Sequence, residues 1–350
     1  MIKPVHNTSL LPGTLQNLFY PPCREEYMYF KRAQEVSFVA PEDVRSSETL
    51  IGARNIAKAA WAADASMLSY ARYGQDRMTD DDLRVNFRNG RLDIQTIGEN
   101  DDDWNAPGTQ AVFATGDNFA ILAFRGTERD DPHDIISDAD LALSPEPNYR
   151  LNEKDPAPVL GHLSFVTHLF DPPCLVHTGF QKALNRVWPK THAAVMEYRH
   201  ENPDAEICFT GHSLGAALAV LAFSRFTDKD FSLYTFGCPR VGDAAFRDRV
   251  LSNPGRGIFR YVNFNDAVVH VPLESLLYRQ TPDACHRLDQ DGDLGDDDGS
   301  FKGDISSLRA VLTKVSSQIP VADLNQIAAP PSVVDHSPAR YCIRLWNCVP

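Results

Sequence analysis

The segment GHSLG at 211–215 sets a serine between two glycines, preceded by the apolar run EICFT and followed by the alanine-rich stretch LGAALAVLAFSRF. Small residues at Gly211 and Gly215 permit a tight strand-to-helix turn. Such a turn projects the Ser213 hydroxyl over the sheet and aims the backbone N–H groups of the new helix at the same point. The chemistry implied is nucleophilic attack on an acyl carbon. A serine hydroxyl is a poor nucleophile at neutral pH, so the turn has meaning only with a histidine base and an orienting carboxylate elsewhere in the chain.

In α/β-hydrolases the acid and then the base follow the serine in sequence. Asp266 lies just past the apolar run of IFRYVNFNDAVVHVP, where an acid after a late strand is expected. Its rival is Asp243 in PRVGD, which follows an earlier strand and has the placement of a helix cap for DAAFRDRV. Three histidines follow Asp266. His270 stands four residues on, on the same segment; His286 opens an Asp-rich stretch; His336 lies in VVDHSPARYCIRLW near the C-terminus, where a loop after the last crossover could bring it over the turn. His212 reads as a packing residue beside the serine rather than a base.

Acyl transfer also needs donors for the developing oxyanion, one of them the N–H that follows the nucleophile. Leu214 supplies that donor. AFRGTERDD puts Thr127 directly after a buried strand, where its N–H and hydroxyl could supply a second, with Asp138 as a hydroxyl or loop anchor.

The elements that must hold these groups read as follows. SSETLIGARNIAKAAWAADASMLSYARYG has apolar residues at helical spacing and Gly74 at its end, which predicts one long helix. RLDIQTIG predicts a strand, and TQAVFATGDNFAILAFRGT predicts an antiparallel hairpin about Gly116-Asp117-Asn118. A polar, proline-interrupted stretch at about 129–175 reads as a lid or cap. Thereafter helices (GFQKALNRVWPKTHAAVMEYRH, LGAALAVLAFSRF) alternate with strands (EICFT, SLYTFG, IFRYVNF), which predicts an α/β fold with a mostly parallel sheet flanked by helices. Residues 1–47 read as an N-terminal arm, 48–350 as a single domain, and 284–305 as an acidic loop inserted into it.

Composition narrows the function classes. Of 350 residues, 34 are Lys or Arg and 47 Asp or Glu, a formal net charge of −13, which excludes electrostatic capture of nucleic acid or an anionic membrane. At 43% apolar and 23% charged, the chain has a globular composition. The longest apolar run, AALAVLAF at 216–223, falls short of the roughly 18 residues a membrane span requires. The N-terminus shows no basic start, apolar core and small-residue cleavage site, and the seven cysteines are scattered without CxxC spacing. Together these lead to the expectation of a reduced, cytoplasmic setting, with secretion as the alternative if a signal has been removed.

The ordered set AFRGT, HTGF, FTGHSLGAALA, YTFGCPRVGD, YVNFNDAVVHVP and DHSPARY resembles the class 3 lipases, the fungal-type triacylglycerol lipases and their bacterial relatives, over about residues 50–346. The resemblance implies an α/β-hydrolase fold, with Ser213 as nucleophile, Asp266 as acid, His336 as base and Thr127 with Leu214 as oxyanion hole. It implies a small-molecule or lipid ester substrate, no cofactor and transient contact with a lipid interface. A feruloyl esterase or thioesterase on the same fold, or a non-catalytic acyl-binding scaffold, are the rival readings.

Two departures accompany it. The lid segment DDPHDIISDAD is acidic and lacks the tryptophan that family members often carry, and His177 lies 52 positions after Arg125. An acidic, weakly apolar cap binds lipid poorly, so a soluble ester is as good a substrate as an emulsified one. In CHRLDQDGDLGDDDGSFKGD, Asp289, Asp291 and Asp293 alternate as calcium ligands do, but Leu294 and Ser300 stand where such a loop needs glycine and glutamate. No metal site is expected.

Overall fold

The computed structural model describes residues 48–70, 93–99, 108–116, 119–126, 142–147, 174–228, 230–252, 257–288, 294–297 and 335–348. Thr127, Asp138, the arm at 1–47, most of the segment 129–175, and Asp289, Asp291, Asp293 and Ser300 lie outside them.

Helix α1 (Glu48–Leu68) precedes strands β1 (Asp93–Gly98), β2 (Gln110–Thr115) and β3 (Phe119–Phe124), and a short pair, β4 (Leu143–Pro145) with β5 (Leu175–His177), follows. The chain then alternates: α2 (Thr178–Glu201), β6 (Glu206–His212), α3 (Leu214–Ser224), β7 (Phe231–Phe236), α4 (Ala244–Leu251) and β8 (Gly257–Asn263). It closes with β9 (Cys285–Leu288), β10 (Leu294–Asp297) and α5 (Pro338–Cys348).

Among the described residues one sheet has the order β1-β2-β3-β6-β7-β8-β9-β10. Strands β3, β6, β7, β8 and β9 run parallel, while β1, β2 and β10 are antiparallel at the two edges. The β2–β3 hairpin pairs Ala111 with Phe124 and Thr115 with Ala120, the antiparallel arrangement expected of two apolar runs flanking Gly116-Asp117-Asn118. FAILAF in β3 and FSLYTF in β7 are buried at every position. That uniform burial is the mark of central strands covered on both faces.

Strand alternation divides the core into two layers. Phe113, Leu122, Phe124, Ile207, Phe209 and Leu233 face α2, α3 and α4. Their neighbours Val112, Ile121, Cys208, Tyr234 and Phe236 pack with Trp61 of α1 and Tyr341 and Leu345 of α5. Helices therefore cover both faces of the sheet. Helix α3 is apolar on all sides and almost wholly buried, so its position is set by packing rather than by an amphipathic stripe.

The acidic stretch 284–305 differs from its sequence reading. Cys285–Leu288 is a strand of the central sheet, parallel to β8, and Leu294–Asp297 pairs back on it antiparallel. The dense aspartates after Leu288 mask a four-residue run whose Cys285 and Leu288 are buried. His286 consequently packs its ring 5.1 Å from Tyr261 and 6.0 Å from Phe259, and is only partly exposed.

Candidate active site

Strand β6 ends at His212 and α3 begins at Leu214, so Ser213 alone makes the turn, at φ 58° and ψ −126°. This is backbone that L-residues rarely adopt. The flanking glycines are required by space: a Cβ at Gly211 would stand 2.2 Å from the backbone of Gly215, and one at Gly215 would stand 2.2 Å from the carbonyl oxygen of Phe124. The Ser213 N–H donates to the carbonyl of Phe236 at 3.0 Å, which locks the turn onto the end of β7. Leu214 opens α3, so its N–H is one of the first-turn donors that have no acceptor within the helix.

Asp266 follows the end of β8 and is fully buried. Its Oδ1 accepts the N–H of Val268 at 2.9 Å. Its Oδ2 meets His336 Nδ1 at 2.8 Å and accepts the Tyr341 hydroxyl at 2.7 Å. Burial alone would raise this carboxyl, but the His336 ring opposite and the donors from His336, Tyr341 and Val268 hold it below the usual carboxylate range. Burial, with the Asp266 charge, pushes the Tyr341 hydroxyl far above its ordinary value, so it stays a donor.

His336 lies 4.4 Å, ring to ring, from His212, the residue before Ser213. It also crowds the bend after β7: a Cβ on Gly237, at φ 59°, would come within 2.8 Å of both the His336 ring and Asp266 Oδ2. With Nδ1 on Asp266, the ring's Nε2 is buried and has no hydrogen-bond partner among the described residues. The loop carrying His336 is pinned by Asn263, whose side-chain amide donates to the carbonyl of Asp335 at 2.7 Å, and whose N–H donates to the Tyr341 hydroxyl oxygen at 2.9 Å. Burial raises the Asp335 carboxyl to about 6 despite the neighbouring Arg344 and Arg340.

The rival candidates sit elsewhere. Asp243 caps α4, accepting the N–H of Phe246 at 2.8 Å. His270 occupies a single turn of 3-10 helix, and its carbonyl accepts from Arg240. Burial and the Arg240 charge lower its imidazole to about 4. His286 belongs to β9. His212 is more than packing: Nδ1 stands 3.0 Å from the Tyr70 hydroxyl and Nε2 2.6 Å from the carbonyl oxygen of His336.

The roles of Tyr70, Asn263 and Tyr341 are not legible in the sequence. Asn263 lies in YVNFNDAVVHVP and Tyr341 ends DHSPARY, but their contacts, like that of Tyr70, run across long chain separations. The histidine of HTGF caps α2: His177 Nδ1 accepts the N–H groups of Gly179 and Phe180 at 3.1 and 3.3 Å.

Residues 121–276 match the class 3 lipase family. Over 111 residues the chain is 39% identical to secreted mono- and diacylglycerol lipase 1 of Fusarium solani, covering 31% of this chain and 33% of that protein. Over 157 residues it is 30% identical to secreted mono- and diacylglycerol lipase A of Penicillium cyclopium, covering 42% and 51%. The chain thus spans about a third to a half of the length of these relatives. A solved variant of MDLA from Penicillium cyclopium superposes with a TM-score of 0.51 at 20% identity, covering 83% of this chain and 99% of that one, a likeness that speaks to the fold.

The expected cytoplasmic setting does not stand, because both of these relatives are named secreted lipases. Scattered cysteines and an unremarkable N-terminus are weak signals of compartment against that finding. With its helix-flanked, mostly parallel sheet the chain has the α/β-hydrolase fold, and the segment that matches the class 3 lipase family holds both Ser213 and Asp266.

Proposed function

We propose that this protein is a serine carboxylic-ester hydrolase that cleaves acylglycerols or other fatty-acyl esters through an acyl-enzyme. The observation that carries the reading is the buried His336–Asp266 contact at 2.8 Å beside the strained Ser213 turn, with Nε2 of the same ring buried and without a hydrogen-bond partner among the described residues. Ser213 Oγ attacks the ester carbonyl while His336 Nε2 takes its proton, and Asp266 steadies the imidazolium. The tetrahedral oxyanion accepts hydrogen bonds from the Leu214 N–H and from Thr127. Collapse expels the alcohol with the proton returned by His336, and water repeats the sequence to release the acid. The substrate class rests on the names of the relatives, mono- and diacylglycerol lipases, and a place of action outside the cell fits the same names.

The test is covalent labelling by a fluorophosphonate, followed by initial rates on p-nitrophenyl butyrate and on tributyrin carried across its solubility limit. The parent labels and turns over, and Ser213→Ala does neither. A rate that jumps when droplets form identifies a lipase with a mobile lid; saturation in the monomeric range identifies an esterase. A parent protein that neither labels nor hydrolyses any ester removes the reading.

A further inference from the structure

His212 stands one peptide bond before Ser213, yet its ring is held by two other parts of the chain. Its Nε2 lies 2.6 Å from the main-chain carbonyl oxygen of His336. A carbonyl can only accept, so Nε2 carries the proton. On the other side, Nδ1 lies 3.0 Å from the hydroxyl of Tyr70, in the turn that follows α1. A neutral ring protonated at Nε2 leaves Nδ1 as acceptor, so the Tyr70 hydroxyl donates toward it, with the carbonyl oxygen of His212 itself a second acceptor at 3.3 Å. The same tyrosine oxygen takes a hydrogen bond from the Gly126 N–H, in the residue before Thr127, and there is no room between them: a Cβ on Gly126 would stand 1.8 Å from the Tyr70 hydroxyl.

Contacts therefore run from Gly126 through the Tyr70 hydroxyl, which faces both Nδ1 and the carbonyl oxygen of His212, to the backbone of His336. Resting on the hydrolase reading above, we propose that His212 is a positioning residue: as a permanently neutral, Nε2-protonated imidazole it fixes the main chain of the base relative to the nucleophile and ties both to the oxyanion turn.

The surroundings support neutrality. His212 is buried, with the Tyr70 ring at 6.0 Å, Tyr341 at 5.8 Å and His336 at 4.4 Å, and Asp266 beyond His336. Burial, then the His336 charge, drives its imidazole well below the ordinary value, against the pull of Asp266. Neutrality also matters to the chemistry, since a proton on His212 would oppose the one His336 must accept 4.4 Å away.

Two replacements separate the two ring nitrogens. Glutamine places an amide N–H near the Nε2 position and keeps the bond to the His336 carbonyl, whereas asparagine reaches only the Tyr70 side. His212→Asn should lose about 100-fold in kcat with KM within about threefold, and His212→Gln should recover to within about fivefold of the parent, as expected when a base is displaced without loss of substrate contacts. In the parent, the 15N shifts of His212 should stay those of the neutral Nε2–H tautomer between about pH 5 and 8.

An Asn variant as active as the parent overturns the proposal. So do equal losses in the Asn and Gln variants at unchanged melting temperature, or a His212 ring that gains a proton in that pH range. Should His212→Asn fail to fold, the Gln variant and the parent spectrum still decide. Fluorophosphonate labelling of the parent reports separately on the hydrolase reading.

Discussion

Tyr341 and His336 converge on one oxygen: Oδ2 of Asp266 accepts the tyrosine hydroxyl at 2.7 Å and faces the imidazole Nδ1 at 2.8 Å. Both groups come from the C-terminal segment, five residues apart, so the start of α5 delivers the ring and a second donor to the carboxylate together. Two donors on one buried oxygen stabilise its charge and restrict the orientation in which the imidazole can approach.

Removing the hydroxyl with Tyr341→Phe leaves Asp266 Oδ2 with one donor fewer and the Asn263 N–H without its acceptor. A cost of about 2 kcal/mol in unfolding free energy follows from a buried bond to a charged group. The carboxyl of Asp266 is depressed in the folded state, so its stabilisation is present above the ordinary carboxylate range and is lost as pH falls through the folded value. Tyr341→Phe raises that value, so the acid-side fall in urea midpoint should be smaller than in the parent and be complete at a higher pH. Matching acid-side stability curves for parent and variant would contradict this.

The backbone of Ser213, at φ 58°, yields a comparison that does not depend on activity. Ser213→Ala and Ser213→Gly both remove the nucleophile, but only glycine adopts this conformation without steric cost. The Gly variant should be more stable than the Ala variant by about 1 kcal/mol, measured by urea unfolding. Equal stabilities would mean that the turn is not held under strain.

The division between what sequence shows and what it hides follows contact range. GHSLG, the β2–β3 hairpin and the apolar helix α3 are local patterns, written in neighbouring residues whose sizes and spacing dictate their conformation. Placing Asp266 after a strand is likewise a local inference. The contacts of Tyr70, Asn263 and Tyr341 have no such signature, although Asn263 and Tyr341 stand inside quoted motifs. Tyr70 reaches His212 and Tyr341 reaches Asp266 only because α1 and α5 pack on the same face of the sheet. Strand β9 was hidden for a different reason: four residues beside a run of aspartates show no period, and their pairing with Tyr261 to Asn263 is what makes them a strand.

Asp335 introduces a pH dependence of opposite sign, next to the base. Burial first, with the Asp266 charge adding, raises its carboxyl to about 6 against the pull of Arg344 and Arg340. A carboxyl raised above its unfolded value favours the folded state most when protonated, so it costs stability progressively as pH rises from about 4 to about 6. Asp335→Asn keeps a side-chain oxygen for the Asn265 N–H and carries no charge. Its advantage over the parent should appear on going from pH 4 to pH 7, read as a widening gap in thermal midpoint. A gap that narrows with pH would show that the arginines, not burial, govern this group.

Glu146 and Arg225 form an ion pair at 2.8 Å with both side chains fully buried, at the point where the chain leaves β4. Glu146 also accepts from Gln181 at 2.7 Å, and Arg225 donates to Asn185 at 2.8 Å and lies over Trp188 at 4.7 Å. The pair thus ties the segment after β4 to α2 and the end of α3, on the side of the sheet away from Tyr341. Glu146→Ala strands the guanidinium in a water-excluded site, a change worth about 3 kcal/mol or more. Replacing both, as Glu146→Leu with Arg225→Met, removes the orphaned charge, so the double variant should recover at least half of that loss by urea unfolding. A double variant less stable than Glu146→Ala would show that the surrounding hydrogen bonds, rather than the charge left behind, set the cost.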